Sequence, residues 1–385
     1  MENKKQGHPT MHKNLTKRLI IFITGVLVLI FINSLSSSAE DNSINNTLEI
    51  IRKKNNLPAL AGAIVTSKGL SEIGVVGFRK AGTDIPVTID DKWHLGSETK
   101  AMTAALIGSL VEQNKLKWDS TLGQIFPEQA ESMTPQVRSI TVEQLLSHRS
   151  GLPANLSWPT IAQTGSVSEQ RKQVLNLTSE LKIENEPGRF EYSNLGYVIS
   201  GIVAEKVTNK SWEELISKTI FDPLKMSSVG FGGTGTPGLI DQPWGHDNKG
   251  KPVSGNGSKV DNPQVMGPAG AVHCSLKDWG SFISDQLNGA RGEKALLKPE
   301  TYKKLHTPLA GDYAFGWAVT QRPWGGGTVL THAGSNTMNF AVTWIAPQKD
   351  FAVLICTNQG GEIAQTACDE AAGALIQRHL KQINK

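Results

Sequence analysis

The chain is poor in the residues that would make it a metalloprotein or a disulfide-stapled fold. It has three cysteines in 385 residues, Cys274, Cys356 and Cys368, with no CxxC spacing. Cys356 and Cys368 are placed to pair in an oxidising compartment. An odd, widely spaced set nevertheless says that the fold does not depend on disulfides, and the three fit better as small buried residues. No histidine pair has metal-ligand spacing and there is no HExxH, so neither a metal site nor a cofactor is expected. No Lys/Arg run with interleaved aromatics occurs, which argues against nucleic acid as a partner. A Gly-x-Ser-x-Gly elbow is also missing, and that excludes one large class of serine hydrolases. There is no internal repeat and no low-complexity segment.

Long apolar runs are scarce too. The run at residues 19–32, LIIFITGVLVLIFI, has 14 residues, short of the roughly 20 that span a bilayer. Lys17 and Arg18 precede it, and Ser37 and Ala39 occupy small-x-small positions after it. This pattern predicts a signal peptide over residues 1–39, cleaved near Ala39, a secreted or periplasmic protein, and no stable membrane span after cleavage. No cysteine lies near the signal's end, so lipidation there is excluded. The signal also accounts for the net charge of +4. Without its five basic residues and one acidic residue, 34 of each sign remain.

The remaining 346 residues are enough for a substantial core. The pattern predicts a helix over 41–56, strands in ALAGAIVTS and EIGVVGFRKAG, and a helix from Ser97 to about Asn114. ITVEQLLSHRSGLP reads as a helix with Thr141 as N-cap, ending at Gly151 and Pro153. LGYVISGIVAEKVT is a further helix, and residues 230–263 form a Gly/Pro/Asn/Asp-rich surface excursion. YAFGWAVT, GTVLTHAG, NFAVTWIAP and DFAVLICTN are strand-like, and GEIAQTACDEAAGALIQRHLKQI closes the chain as a helix. Consecutive strands with short turns imply an antiparallel sheet with the terminal helices on one face. The fold class is α/β (α+β), with a mostly helical segment inserted between sheet halves.

Ser97-Glu98-Thr99-Lys100 ends a strand-like run and opens an apolar helix. A second Ser-x-x-Lys, Ser179–Lys182, serves as a control, because it follows no strand. A serine at a helix start has free backbone N–H groups around it, and the helix end favours developing negative charge. Lys100 lies one turn on, on the same face. To take the Ser97 proton it must be neutral, which burial promotes. Tyr192-Ser193-Asn194 supplies partners: a phenol able to exchange protons and an amide able to hold a carbonyl. In isolation that tripeptide reads better as a helix N-cap with an aromatic staple. His332-Ala333-Gly334-Ser335 ends one strand and offers its backbone to an extended acyl group. The Ser97 and Ser335 N–H groups can then share an oxyanion.

Ser-x-x-Lys, Tyr-x-Asn and a basic residue-x-Gly, in that order, resemble the penicillin-recognising serine hydrolases. The branch most similar holds class C β-lactamases, D-alanyl-D-alanine carboxypeptidases, D-amino-acid peptidases and β-lactamase-like esterases. ITVEQLLSHRSGLP, EPGRFEYSNLGYVISGIVAEKV, IFDPLKMSSVGF and GPAGAVHCSLKDW resemble the family as well. The resemblance covers nearly the whole chain after the signal. It implies an α/β domain made of residues 40–95 and 267–385, with residues 96–266 inserted as a helical domain and the site between them. It implies that Ser97 is the nucleophile of an acyl-enzyme, with Lys100 and Tyr192 as general base and acid. Asn194, His332, Gly334 and Ser335 would bind substrate. Substrates would be D-amino peptides or amides, β-lactam-like compounds or small esters, including peptidoglycan-derived peptides. The competing expectation is a catalytically silent binding protein of the same fold that senses such fragments or a partner.

Class C β-lactamases normally carry Lys where His332 stands, and an Arg near the start of the last helix. Here no Lys or Arg occurs between Lys349 and Arg378. This weakens carboxylate anchoring and favours a His-x-Gly D-peptidase or an esterase. Were His332 to carry a charge and grip a carboxylate, KM for acidic substrates would rise above roughly pH 6–7. Thr337 and Met338 replace the family's usual glycine after the third motif and reshape the acyl pocket.

Overall fold

A computed structural model describes residues 43–163, 165–183, 188–253 and 261–384; the apolar run at 19–32 and the cleavage site near Ala39 lie outside them. The first element is helix α1 (Ile44–Lys54). Strands β1 (Ala59–Thr66) and β2 (Gly69–Gly77) follow as an antiparallel pair. Strand β2 stops earlier than EIGVVGFRKAG predicts. Gly77 has φ +92°, and a Cβ there would lie 2.2 Å from the Pro58 carbonyl oxygen, so the chain turns away at this glycine.

The short β3 (Lys92–His94) leads through a 3₁₀ turn, Gly96–Glu98, into helix α2 (Thr99–Glu112). Helix α3 (Val142–Leu146) is capped by Thr141, as the sequence implies: its hydroxyl accepts from the Gln144 N–H, and the Gln144 side chain returns a bond to Thr141. It ends well before Gly151, because His148 takes φ +58°. Helices α4 (Val167–Ser179) and α5 (Asn194–Thr208) complete the helical segment. Strands β4 (Gly230–Phe231) and β5 (Val272–Ser275) join β3 in a small sheet ordered β3-β5-β4. Helix α6 (Leu276–Ala290) then precedes β6 (Ala318–Arg322), β7 (Gly327–Ser335), β8 (Phe340–Ala346), β9 (Phe351–Thr357) and the last helix, α7 (Glu362–Ile383).

The main sheet runs β2-β1-β9-β8-β7-β6, antiparallel throughout, and so unites both ends of the chain. Alternation along the strands sorts its faces. Leu60, Ile64, Val353 and Ile355 pack with Ile44, Leu48 and Ala371 of the terminal helices. Ala61, Ala63, Val65 and Leu354 pack with Phe282 and Leu287 of α6, in a core that continues into α2 and α5. The cysteines fit this division. All three are free and buried; Cys356 sits in the α6-side core and Cys368 in the terminal-helix core, so the sheet separates them and no bridge forms.

YAFGWAVT is only partly a strand. Gly316 has φ +84° and passes against α2, where a Cβ would come within 2.5 Å of Ala101 Cα. The Ala314 N–H donates to the Trp317 carbonyl (2.8 Å). Pairing therefore begins at Ala318, and residues 313–317 form a turn beside α2 instead.

Candidate active site

Local structure brings the three motifs together. Ser97 lies on the 3₁₀ turn entering α2, half-buried, and Lys100 in the first turn of α2 is fully buried. Lys100 Nζ is 2.9 Å from Ser97 Oγ, 2.7 Å from Asn194 Oδ1 and 2.7 Å from the Ala269 carbonyl oxygen. Burial pushes the Lys100 amine well below its ordinary pKa. A neutral amine has two N–H donors and one lone pair. The Asn194 and Ala269 oxygens can only accept, so they take both donors. The lone pair is left for the Ser97 hydroxyl, which can donate. The geometry is that of a base set to remove the Ser97 proton.

The orientation of the Asn194 amide is fixed from outside the motif. The Trp158 indole Nε1–H donates to Asn155 Oδ1 (2.8 Å). Asn194 Nδ2 donates to the same oxygen (2.9 Å), so Asn194 Oδ1 must face Lys100. The Ser193 hydroxyl caps α5 through the Gly196 N–H (3.0 Å). The N-cap reading of this tripeptide and the site reading therefore hold together.

The Tyr192 ring stacks over Lys100 Nζ at 4.9 Å, and its hydroxyl pairs with Ser97. Burial of that hydroxyl, relieved by the Ser97 bond, leaves the phenol pushed up to about 12. It is thus a proton donor near neutral pH. Tyr192 as a whole is 36% exposed.

Two residues missed in the sequence complete the wall. His148 Nδ1 accepts the Ser193 N–H (3.0 Å), and its ring lies 4.3 Å from Tyr192 and 4.7 Å from Tyr313. The Tyr313 hydroxyl bonds His332 Nε2 (3.1 Å). Nothing in sequence spacing marks either residue; His148 is brought in by a left-handed backbone and Tyr313 by the Gly316 turn.

The sequence leaves the charge of His332 open, and no partner lifts its pKa above the ordinary value. It is buried, and burial together with nearby Lys100 lowers its pKa to about 3. His148 is likewise held well down by burial, by Lys100 and by His332. Both histidines are therefore neutral near pH 7, and His332 brings no cation to the substrate strand.

Strand β7 is not an edge strand along its whole length. Among the described residues β6 pairs no further than Thr331, so His332–Ser335 pair with β8 alone and turn their other side to the Ser97 turn. The approach is close. A Cβ on Gly334 would lie 2.6 Å from the Ser97 nitrogen, and one on Gly96 would lie 2.3 Å from the Ser335 nitrogen. Only glycine at both positions lets these peptides meet. The control motif behaves otherwise: the Ser179 hydroxyl donates to the Leu175 carbonyl in its own helix (2.9 Å). Among the described residues no His/Cys/Asp/Glu group could hold a metal ion, and no helix is long and apolar enough to cross a membrane.

A serine served by a buried lysine one turn on, with a phenol and an amide across from it, defines a serine acyl-transfer class of site on an α/β fold. The sequence matches the beta-lactamase family model over residues 45–377. The chain belongs to the beta-lactamase family, serine hydrolases of the β-lactamase and penicillin-binding-protein type. Protein flp of Staphylococcus aureus (strain NCTC 8325 / PS 47) is 23% identical over 330 residues, covering 83% of this chain and 63% of flp, so the chain spans less than two thirds of that relative. The octameric penicillin-binding protein homologue from Pyrococcus abyssi has a similar fold, with TM-score 0.70, 23% identity, and coverage of 87% of this chain and 76% of that one. So does the D-alanine carboxypeptidase AmpC from Burkholderia cenocepacia, with TM-score 0.69, 18% identity, and coverage of 86% and 97%.

Proposed function

We propose that the protein is an exported serine acyl hydrolase that works through a Ser97 acyl-enzyme. The observation that carries this reading is the three-way placement of Lys100 Nζ between two obligate acceptors and the Ser97 hydroxyl. Ser97 Oγ attacks the substrate carbonyl carbon while its proton passes to Lys100. The developing oxyanion is held by the Ser97 and Ser335 N–H groups. As the carbon–leaving-group bond breaks, Tyr192 gives the departing amine or alkoxide a proton and recovers one from Lys100. Water then attacks the acyl-enzyme by the same path in reverse and frees Ser97. Asn194 holds Lys100 and presents its amide to the substrate.

The neutral state of His332 and His148 favours esters and amides, D-amino amides among them, whose leaving groups carry no carboxylate and need no cation at β7. β-Lactams, which carry a carboxylate, are poorer substrates on this reading. The test compares wild type and Ser97→Ala for labelling by a fluorophosphonate, and turnover of a short-chain ester, a D-Ala-D-Ala peptide and nitrocefin. Ser97-dependent labelling, with the ester turned over faster than the D-Ala-D-Ala peptide and nitrocefin, both of which carry a carboxylate, is expected. Equal labelling of the two proteins, or binding of all three compounds without turnover, refutes the reading. Export is tested by N-terminal sequencing of the cell-free or periplasmic protein, expected to start just after Ala39; a retained Met1 refutes it.

A further inference from the structure

Behind the Ser97 turn lies a second buried polar cluster that the acyl-transfer steps do not use. His94 ends β3, opposite His273 of β5. Its side chain and that of Asp261 are each 1% exposed, with His94 Nε2 2.9 Å from Asp261 Oδ1. His94 Nδ1 accepts the Gly96 N–H (3.1 Å). Because Nδ1 accepts, the ring proton sits on Nε2, the nitrogen nearest Asp261. Asp261 Oδ1 also accepts from Asn336 Nδ2 (3.0 Å) and from the Asn262 N–H (2.7 Å).

Asn336 is the residue after Ser335, and its orientation is not free. Its Oδ1 accepts the Met338 and Asn339 N–H groups (3.2 and 2.9 Å) and Asn339 Nδ2 (3.1 Å), so its Nδ2 must face Asp261. Asn262 Nδ2 in turn donates to the Gly270 carbonyl (2.8 Å), adjacent to the Ala269 carbonyl that holds Lys100.

We propose that His94, Asp261 and Asn336 form a positioning relay that ties the Gly96 peptide to the end of β7 and so sets the spacing of the Ser97 and Ser335 N–H groups. The proposal rests on the acyl-hydrolase reading for its catalytic consequence, though not for its structural one. Gly96 has φ +51° and no side chain to anchor it. A turn with that freedom keeps a fixed peptide plane only if its N–H is held, and Nδ1 of His94 holds it. Asp261 then orients the imidazole, as a carboxylate commonly fixes a histidine tautomer. Asn336 carries the same link to the other strand. The three are positioning residues and touch no substrate. His94, Thr234, Trp244, Asn336 and Asn339 line a cavity of about 40 Å³, room for water and too small for a substrate group.

The test uses His94→Phe, which fills the space without nitrogens, His94→Asn, whose carbonyl oxygen takes the place of Nδ1, and Asp261→Ala. On an ester substrate His94→Phe and Asp261→Ala are expected to lower kcat roughly 10- to 100-fold, with KM within about twofold, while His94→Asn restores most of kcat. Hydrogen exchange of the Gly96 amide should be faster in His94→Phe and Asp261→Ala and near wild type in His94→Asn. Unchanged kcat together with unchanged Gly96 exchange in His94→Phe overturns the relay. So does a kcat that His94→Asn fails to restore while the melting temperature stays that of wild type. If His94→Phe fails to fold, Asp261→Ala decides alone. If wild type turns over nothing, the acyl-hydrolase reading fails and the Gly96 exchange pattern still decides the relay.

Discussion

Gly334→Ala tests the contact on which the site geometry turns. The added Cβ would lie 2.0 Å from the Leu95 carbonyl oxygen, 2.6 Å from the Ser97 nitrogen and 3.0 Å from the Glu98 nitrogen. All three are backbone atoms, so no rotamer change relieves the overlap. Reaching an ordinary contact of 3.4 Å at Leu95 separates β7 from the Ser97 turn by about 1.4 Å. A displacement of about 1 Å in a reacting geometry costs about 100-fold, and loss of one oxyanion donor roughly 100- to 1000-fold. Acylation by a fluorophosphonate, followed by stopped-time labelling, should therefore slow by about two to three orders of magnitude. Overpacking should also lower stability by about 1–3 kcal/mol in denaturant unfolding. Gly373→Ala in α7 is the control: nothing lies within 4 Å of its Cβ, so labelling is unchanged and stability rises by about 0.5–1 kcal/mol. Wild-type labelling in Gly334→Ala, with an unchanged unfolding midpoint, would falsify the close approach and the oxyanion site built on it.

Three further outcomes are expected. Lys100→Met keeps the volume but removes the base, and labelling should fall by about 100- to 10,000-fold. Because the folded state holds Lys100 below its usual 10.5, wild-type stability gains from this group as pH rises towards 10.5; the variant should lose that slope on the alkaline side below 10.5, and an identical slope refutes the lowered, buried amine. The pH profile of kcat/KM should rise through the lowered Lys100 pKa and fall only in the alkaline range as Tyr192, at about 12, loses its proton. With His332 at about 3, ester and carboxylate-bearing substrates should give parallel profiles between pH 5 and 9, and a KM for the latter that climbs near pH 6.5 would restore a charged His332. Glu98, buried beneath Ser97, has its carboxyl pushed well above 4.5 by burial. A raised carboxyl pKa costs stability increasingly as pH climbs above 4.5, so Glu98→Gln should gain on wild type by up to about 1 kcal/mol per pH unit above that point. Equal stabilities at pH 5 and 7 would refute it.

What the sequence disclosed and what it hid divide along a physical line. Motifs whose chemistry depends on local geometry were legible. Ser97 and Lys100 share a face because a helix repeats every 3.6 residues, Thr141 caps because its hydroxyl reaches the third N–H, and the alternating strands sort their two faces without help from the rest of the chain. Residues that act through long-range contacts were not. Asn155 and Trp158 orient the Asn194 amide from 39 and 36 positions away, Asp261 reaches both His94 and Asn336, and Tyr313 enters only because Gly316 bends the chain against Ala101.

The charge of His332, which the sequence leaves open, depends on the same kind of long-range contact. Its ordinary pKa near 6.5 is a property of the residue, whereas its lowered value follows from desolvation beside Lys100, and burial is a property of the fold. That burial links the site's parts. The desolvation that makes Lys100 a usable base also neutralises His148 and His332, and each neutral histidine is then free to accept or share a hydrogen bond, with the Ser193 N–H and with the Tyr313 hydroxyl. A cation at either histidine would repel the proton that Lys100 must take from Ser97. Activation of the proposed nucleophile and the loss of a fixed positive charge at β7 are thus one electrostatic consequence, and the proposed preference for substrates without a carboxylate rests on it, with no residue dedicated to selecting them.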